Sequence, residues 1–478
     1  MPCNNTAEFV GAVCEQIRSK KTHAEIAREL TDHINDQKET YLAQGCDETT
    51  AEKQAVESMG DAVTVGQQLD RAHRPKTQWG VLSAVLVLLC AGLAIQYVLQ
   101  INNVDTFNYV LQKNNINSFM DNIFLHYVKW LPMGIACLLF AYFADYTILG
   151  RHPNVIYLAL TAVFLFWAGI SGNVLEGRFN GRLSYFSWIV LLFVPAFAAL
   201  VYDRRGTGYK GILVCGAAFL APAFICLLIP NTMAFSLLFV ACLIVWTVAI
   251  LKGWFGGNRA AQLSLVYGGL VLAALLIWLF VLPGYTKERL LTVLQPDLDP
   301  MGSGWLVLQL KIMLGGVQFW GPSATLAGAF QGARIPNWWS DYMLAFFIGQ
   351  YGYFIGILAA AAIGFLLFSM LRAALSLKNR LGFLVAFSCT VILAIECVQY
   401  FLVNFGVTAF GTLGLPLLTY GATGLCVHLF LIGLMLSTYR NDGLVWEHGN
   451  KKEPAHERVF AMQDGKLTVD FRAMAKYR

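Results

Sequence analysis

IPNWWSDYMLAFFIGQYG, residues 335–352, sets one carboxylate, Asp341, behind two tryptophans and ahead of a long apolar run. The run bears on the fold, and the acid bears on function. From Tyr342 the stretch is long enough to cross a hydrocarbon core of about 30 Å. Further runs of that kind begin near Trp79, Ile123, Asn154, Tyr185, Gly211, Ala234, Leu263, Gly382 and Leu417. With 57% hydrophobic and 13% charged residues and a mean hydropathy of +0.56, the chain of 478 residues is a membrane protein. The expected fold is all-α, a polytopic membrane protein of about ten transmembrane helices with a small soluble helical bundle at its N-terminus.

Outward from this run the chain divides into a polar head, residues 1–76, a membrane body, 77–440, and a charged tail, 441–478. In the head, Thr22 and Glu25 form a capping box ahead of Ile26, Leu30 and Ile34, whose four-residue spacing marks one apolar helix face. Phe9, Val13 and Ile17 repeat the spacing, and Asp47 opens a third helix that Gly60 ends. Acids outnumber bases in the head, which argues for a protein partner in the cytoplasm and against nucleic acid. The net charge of +5 is spread over loops and tails and makes no nucleic-acid surface. The eleven cysteines include no C-x-x-C pair, so nothing in their spacing points to a metal or a disulfide. The polar N-terminus is not a cleavable signal, and the first span is expected to direct insertion.

Loop charge predicts orientation. With the head inside, the inner loops hold Arg151, Arg204, Arg205, Lys210, Lys252, Arg259, Arg372, Lys378, Arg380 and Arg440. The outer ones hold Lys113, Arg178 and Arg182, plus the bases of one long segment, residues 284–340. Both termini are therefore expected in the cytoplasm and Asp341 at the outer face. A loop of that length in a compact body is usually functional. Its helical spacing through Trp305, Leu308 and Ile312 suggests a segment lying on the outer membrane surface.

Asp341 has two readings. Ser340 and Asp341 stand where a helix begins, and either as N-cap is worth about 1 kcal/mol; Trp338 and Trp339 suit an interfacial aromatic belt. The other reading is chemical. An acid in the same segment as basic residues can serve as a general base, Asp341, with Arg289, Lys311 and Arg334 as cations for a charge that develops in the reaction. Glu396, a carboxylate within an apolar run, is a candidate by its cost alone, with Gln399 as a possible polar neighbour; His428 is expected to be a packed residue.

The outer segment then carries a resemblance. Arg289, Pro296, Asp299, Gly302, Gly304, Trp305, Gln309, Gly315 and Gly321 follow a pattern similar to that of the SEDS family, the shape, elongation, division and sporulation proteins. SDYMLA (340–345) resembles that family's TDFIFA, LPLLTYGATG (415–424) its LPFISYGGSS, and LIGLMLSTYR (431–440) its closing helix. The head, through MGDAVTVGQQLDRAHRP (59–75), resembles a permease-prefix module. The resemblance implies a peptidoglycan glycosyltransferase that polymerises lipid II, with a class B penicillin-binding protein as transpeptidase partner and a divalent metal, Mg2+ or Mn2+, as cofactor. It implies Asp341 as the catalytic aspartate; Arg289, Lys311, Arg334, Gln309 and Glu396 are the substrate-binding candidates beside it, and no metal ligands are identified. The chain departs from the family pattern where Gly349 and Gln350 replace an acidic pair, and where the Pro-Ser-Glu block of the fourth helix is missing near Ser187–Pro195. Two other classes stand beside the polymerase: a lipid-substrate transporter or flippase, and a catalytically silent scaffold.

Overall fold

The computed structural model describes residues 5–18, 23–72, 77–106, 123–170, 172–173, 178–179, 183–228, 231–281, 284, 287–288, 291–292, 295–302, 304–323, 335, 338–408, 411–442, 460–463 and 466–469. The capping box at Thr22 lies outside them, as do Arg289 and Arg334.

Four helices build the head: α1 (Thr6–Gln16), α2 (His23–Ala43), α3 (Glu48–Ser58) and α4 (Ala62–Ala72). The two stripes read from the sequence, Phe9-Val13-Ile17 and Ile26-Leu30-Ile34, are buried in one core with Ala55, Val56 and Ala62. The fourth helix is additional to the sequence reading. Its signal was local: Asp61 accepts from the Thr64 amide and hydroxyl, an N-terminal cap. Asp47 caps α3 in the same way. Hydrogen bonds from Thr49 and Thr50 lower the Asp47 carboxyl to about 2 from an ordinary 3.8. The Thr6 amide lowers Glu52, and the Thr64 amide lowers Asp61. A depressed folded-state pKa gives stability that is complete above the unfolded value and lost as pH falls through the folded one. Residues 1–76 expressed alone should therefore be helical by circular dichroism at neutral pH and lose helix between pH 3.8 and about 2. Asp47→Asn, which still caps, should make that loss shallower, and an unchanged profile would remove Asp47 as a source of it.

The body continues with α5 (Trp79–Thr106), α6 (Ile123–Phe143), α7 (Thr147–Arg151), α8 (Pro153–Ile170), α9 (Leu183–Asp203), α10 (Tyr209–Leu228), α11 (Thr232–Leu251) and α12 (Arg259–Leu276). It ends with α13 (Trp305–Gly315), α14 (Met343–Tyr351), α15 (Tyr353–Leu375), α16 (Arg380–Asn404) and α17 (Ala422–Arg440). Among the described residues eight helices are long and apolar enough to cross a membrane, and α8 and α9 add the shorter apolar stretches Pro153–Phe166 and Ser187–Asp203. This is a multi-pass membrane protein, as a hydrocarbon solvent demands of a chain that must satisfy its own backbone. Short antiparallel pairings join β1 (Gly172–Asn173) to β2 (Arg178–Phe179), and β3 (Phe460–Gln463) to β4 (Lys466–Val469) in the tail.

The helices are not equally central. In its apolar stretch α16 is 72% buried, whereas α12 is 6% buried, so α16 is a core helix and α12 a peripheral one. Small residues set the closest approach: a Cβ at Gly433 of α17 would meet the Leu138 carbonyl of α6, and one at Gly134 of α6 would meet Leu425 and Leu429 of α17. Close backbone packing of this kind replaces the hydrophobic effect between helices in lipid.

Two boundaries differ from the sequence reading. The run from Tyr342 is two helices, because Gly352 takes φ +103° and a Cβ there would strike the Phe319 carbonyl. A left-handed turn without a Cβ ends α14 after nine residues. The run from Leu417 becomes helical only at Ala422, after a buried irregular segment.

Candidate functional site

The stretch that opens the site is compact for physical reasons. Pro296, Asp299, Gly302 and Gly304 fold into one turn in which the Asp299 carboxylate accepts from the Gly302 amide and the Asp299 carbonyl from Gly304. A Cβ at Gly302 would run into the Asp299 carboxylate and one at Gly304 into the Pro296 carbonyl. The spacing of these residues is thus a turn that feeds α13. That helix buries Val307, Leu310, Met313 and Leu314 and leaves Ile312 exposed. The packed stripe lies on the side of the helix away from Ile312, so the short helix turns its richer apolar side to the protein.

Next comes α14, whose Met343–Gly349 are all buried. A short buried helix must find partners for the unpaired groups at both ends. At the C-terminus, Gly321 donates to the Tyr351 carbonyl at 2.9 Å and Ser323 to Gly349 at 2.7 Å. At the N-terminus the partners come from α16. The Leu344 amide donates to Tyr400 Oη at 3.2 Å, and the Ala345 amide to Asn404 Oδ1 at 3.0 Å. Asn404 Nδ2 returns to the Asp341 carbonyl at 3.0 Å, and Tyr400 Oη to the Ser340 carbonyl at 3.4 Å.

This geometry corrects the capping reading. The N-cap is Tyr342, with no side-chain cap bond of its own, and the amides that a carboxylate at 341 was expected to meet are held by α16. The half-buried Asp341 accepts instead from the Ser340 hydroxyl at 3.0 Å. Nor does Trp338 belong to an exposed aromatic belt: it is buried, with its ring centroid 4.6 Å from Phe346.

Beside this corner lies the irregular segment 411–421. Leu417 is held at φ +65°, a conformation costing about 1–3 kcal/mol in a non-glycine residue. Three carbonyls of the segment are satisfied by helix side chains: Leu417 by Tyr127 Oη at 2.7 Å, Leu418 by Gln96 Nε2 at 3.1 Å and Gly411 by Gln399 Nε2 at 2.7 Å. Gln96 also approaches Met343 Sδ at 4.0 Å, which joins the segment to the start of α14. Non-helical backbone within a membrane body needs this enclosure by protein.

The sequence candidates are distributed as follows. Lys311 is exposed, but a Cβ at Gly406 would lie 3.1 Å from its Cγ, so its stem rests against the chain just past Asn404. Gln309 is half-buried on the same α13. Glu396 is elsewhere: its carboxylate oxygens lie 2.9 and 3.0 Å from His428 Nε2. Both residues are buried, and the Trp188 ring stands edge-on to the imidazole at 5.3 Å. The expected Gln399 contact is not the one formed, since Gln399 accepts from Ser236 at 2.9 Å; His428 is packed, and is the hydrogen-bond partner of Glu396 as well. Tyr400 and Asn404 went unread in the sequence. Their signal was the spacing Glu396-Tyr400-Asn404, one polar atom per turn along a single stripe of an apolar helix.

Residues 84–442 match the FtsW/RodA/SpoVE family model, "Cell cycle protein". The chain belongs to that family, the SEDS proteins. It is 29% identical over 202 residues to the probable peptidoglycan glycosyltransferase FtsW of Trichlorobacter lovleyi, covering 41% of this chain and 51% of the relative. To the protein of the same name from Idiomarina loihiensis it is 28% identical over 323 residues, covering 60% of this chain and 76% of the relative. The chain thus spans about half the length of the first of these curated relatives. A solved chain from a peptidoglycan synthase complex superposes with a TM-score of 0.57 at 17% identity, covering 77% of this chain and 98% of that one. That likeness concerns the fold.

Proposed function

We propose that the protein is a membrane glycosyltransferase that polymerises lipid II into glycan strands for cell division, elongation or sporulation. The observation that carries this reading is Asp341 itself: it sits at the entrance of a buried helix whose first amides are held by other residues. In this reading Asp341 takes the proton of the attacking sugar hydroxyl as the bond to the anomeric carbon forms and the lipid diphosphate leaves. Lys311, together with Arg289 and Arg334 of the same segment, supplies positive charge to the diphosphate, and Gln309 donates hydrogen bonds to substrate. The buried Glu396–His428 pair stays outside this chemistry. Among the described residues no group of three His, Cys, Asp or Glu is placed to hold a metal ion, so Mg2+ or Mn2+ enters only through the family resemblance and no step is routed through it.

A class B penicillin-binding protein is the proposed partner, supported by the likeness to a chain of a peptidoglycan synthase complex. The head, permease-prefix-like in sequence, is proposed to bind a cytoplasmic protein. A silent scaffold is the second reading, favoured by Gly349 and Gln350 at the place of an acidic pair. Proteoliposomes carrying labelled lipid II separate the classes. A polymerase lengthens glycan, a flippase moves label across the bilayer without lengthening it, and a scaffold does neither; either of the latter outcomes overturns the proposal.

The orientation is part of the same reading, since lipid II polymerisation belongs to the outer face. A reporter fused after Arg205 or Arg380 should read cytoplasmic and one near Ser323 external. Reversal of either would put Asp341 on the wrong side of the membrane.

A further inference from the structure

The polar contacts around residues 340–345 form a closed unit. Tyr400 and Asn404 are one turn apart on α16 and are fully buried. Between them they bind two carbonyls before α14, those of Ser340 and Asp341, and two amides within its first turn, those of Leu344 and Ala345. Asn404 acts as donor and acceptor at once, and its Nδ2 also reaches the Tyr400 carbonyl at 3.0 Å, which fixes its own side chain to α16.

An amide–carbonyl clip of this kind does what a capping side chain does, but from another helix. A helix start left bare attracts the nearest carboxylate, and capping stabilises the ionised form of that carboxylate. An acid held as a cap is a weaker base and points at the helix. Here the Leu344 and Ala345 amides are already occupied, so the backbone of Asp341 is fixed from α16 while its carboxylate accepts from the Ser340 hydroxyl.

We propose that Tyr400 and Asn404 are positioning residues for Asp341: they take over the cap of α14 and set the place of the acid. The role in catalysis rests on Asp341 being the reacting acid, whereas the clip itself does not. Two sets of measurements therefore separate them.

The clip is tested by thermal midpoints of the full-length protein in detergent for wild type, Asp341→Ala, Asn404→Ala and the double variant. With the clip intact, Asp341→Ala should move the midpoint little. Once Asn404 is gone, the Ala345 amide is bare and Asp341 falls back to capping, so Asp341→Ala should then lower the midpoint by several degrees. Neighbouring groups in one network are expected to be non-additive in this way. Equal losses in both backgrounds would overturn the inference, whether or not the protein makes glycan.

The positioning role is tested in lipid II turnover. Tyr400→Phe and Asn404→Ala should lower kcat on the order of 10–100-fold with KM little changed, as a small misplacement of a reacting group does. They should also move the acid limb of the kcat–pH profile to lower pH, because a capping carboxylate is easier to ionise. A residue that only holds the fold would lower the midpoint and leave that limb in place, and this result would defeat the positioning role. A wild-type protein without activity would defeat the proposed function and leave the midpoint cycle to decide the clip.

Discussion

Asp341→Asn should abolish glycan polymerisation and leave the thermal midpoint within about 1 °C of wild type, a shift well below 1 kcal/mol. Asparagine keeps the size of the side chain and can still accept from the Ser340 hydroxyl, as Asp341 does at 3.0 Å, but it cannot take a proton from a sugar hydroxyl. The structure sharpens this forecast. Had Asp341 been the cap of α14, alanine there would cost about 1 kcal/mol; with Tyr400 and Asn404 on those amides, alanine should also be mild for folding and fatal for activity. Glycan length from lipid II and the thermal midpoint, measured on both variants, decide the matter. Wild-type turnover by Asp341→Asn would remove catalysis from this residue.

The largest effect on stability is expected at Glu396. Its carboxylate and the His428 imidazole are buried together between α16 and α17, 2.9 Å apart. Alanine at 396 leaves the imidazole without its partner in an apolar interior, at a cost of about 1–3 kcal/mol. Replacing both, as Glu396→Met with His428→Leu, removes the two polar groups together and should recover most of that loss. A single variant as stable as wild type would show that the pair contributes nothing. In the scaffold-like core formed by α16 and α17 the pair fixes one helix against the other, and the same stripe of α16 carries Tyr400 and Asn404 toward Asp341.

How much of this could be read from the sequence differs by level. The membrane class and the positions of most helices followed from hydropathy, because hydrocarbon leaves a spanning chain few choices. The head's stripes at Phe9-Val13-Ile17 and Ile26-Leu30-Ile34 followed from period. What escaped was set by tertiary contacts. The break at Gly352 depends on a carbonyl of Phe319 more than thirty residues earlier in the chain, and glycine in an apolar run gave no sign of it. The cap of α14 escaped for the same reason: Ser340 and Asp341 are good capping residues by local rules, yet the amides are taken by side chains some sixty residues away. Spacing put Trp305, Leu308 and Ile312 on one face of α13, whereas the buried face of Val307, Leu310, Met313 and Leu314 is set by the surrounding chain. Of the candidate site, Asp341 was singled out by its place in SDYMLA, whereas the pairing of Glu396 with His428 joins two helices whose relative rotation no periodicity reports.

The central claim is that this chain joins lipid-linked disaccharides at Asp341. The most direct measurement incubates the purified full-length protein with lipid II, alone and with a class B penicillin-binding protein whose transpeptidase site is blocked, and separates the products by length on a gel. The account predicts a ladder of glycan strands from the wild-type protein, in the presence of the partner at least, and none from Asp341→Asn under the same conditions. Lipid II recovered unchanged from the wild-type reaction with a partner shown to bind it would contradict the account.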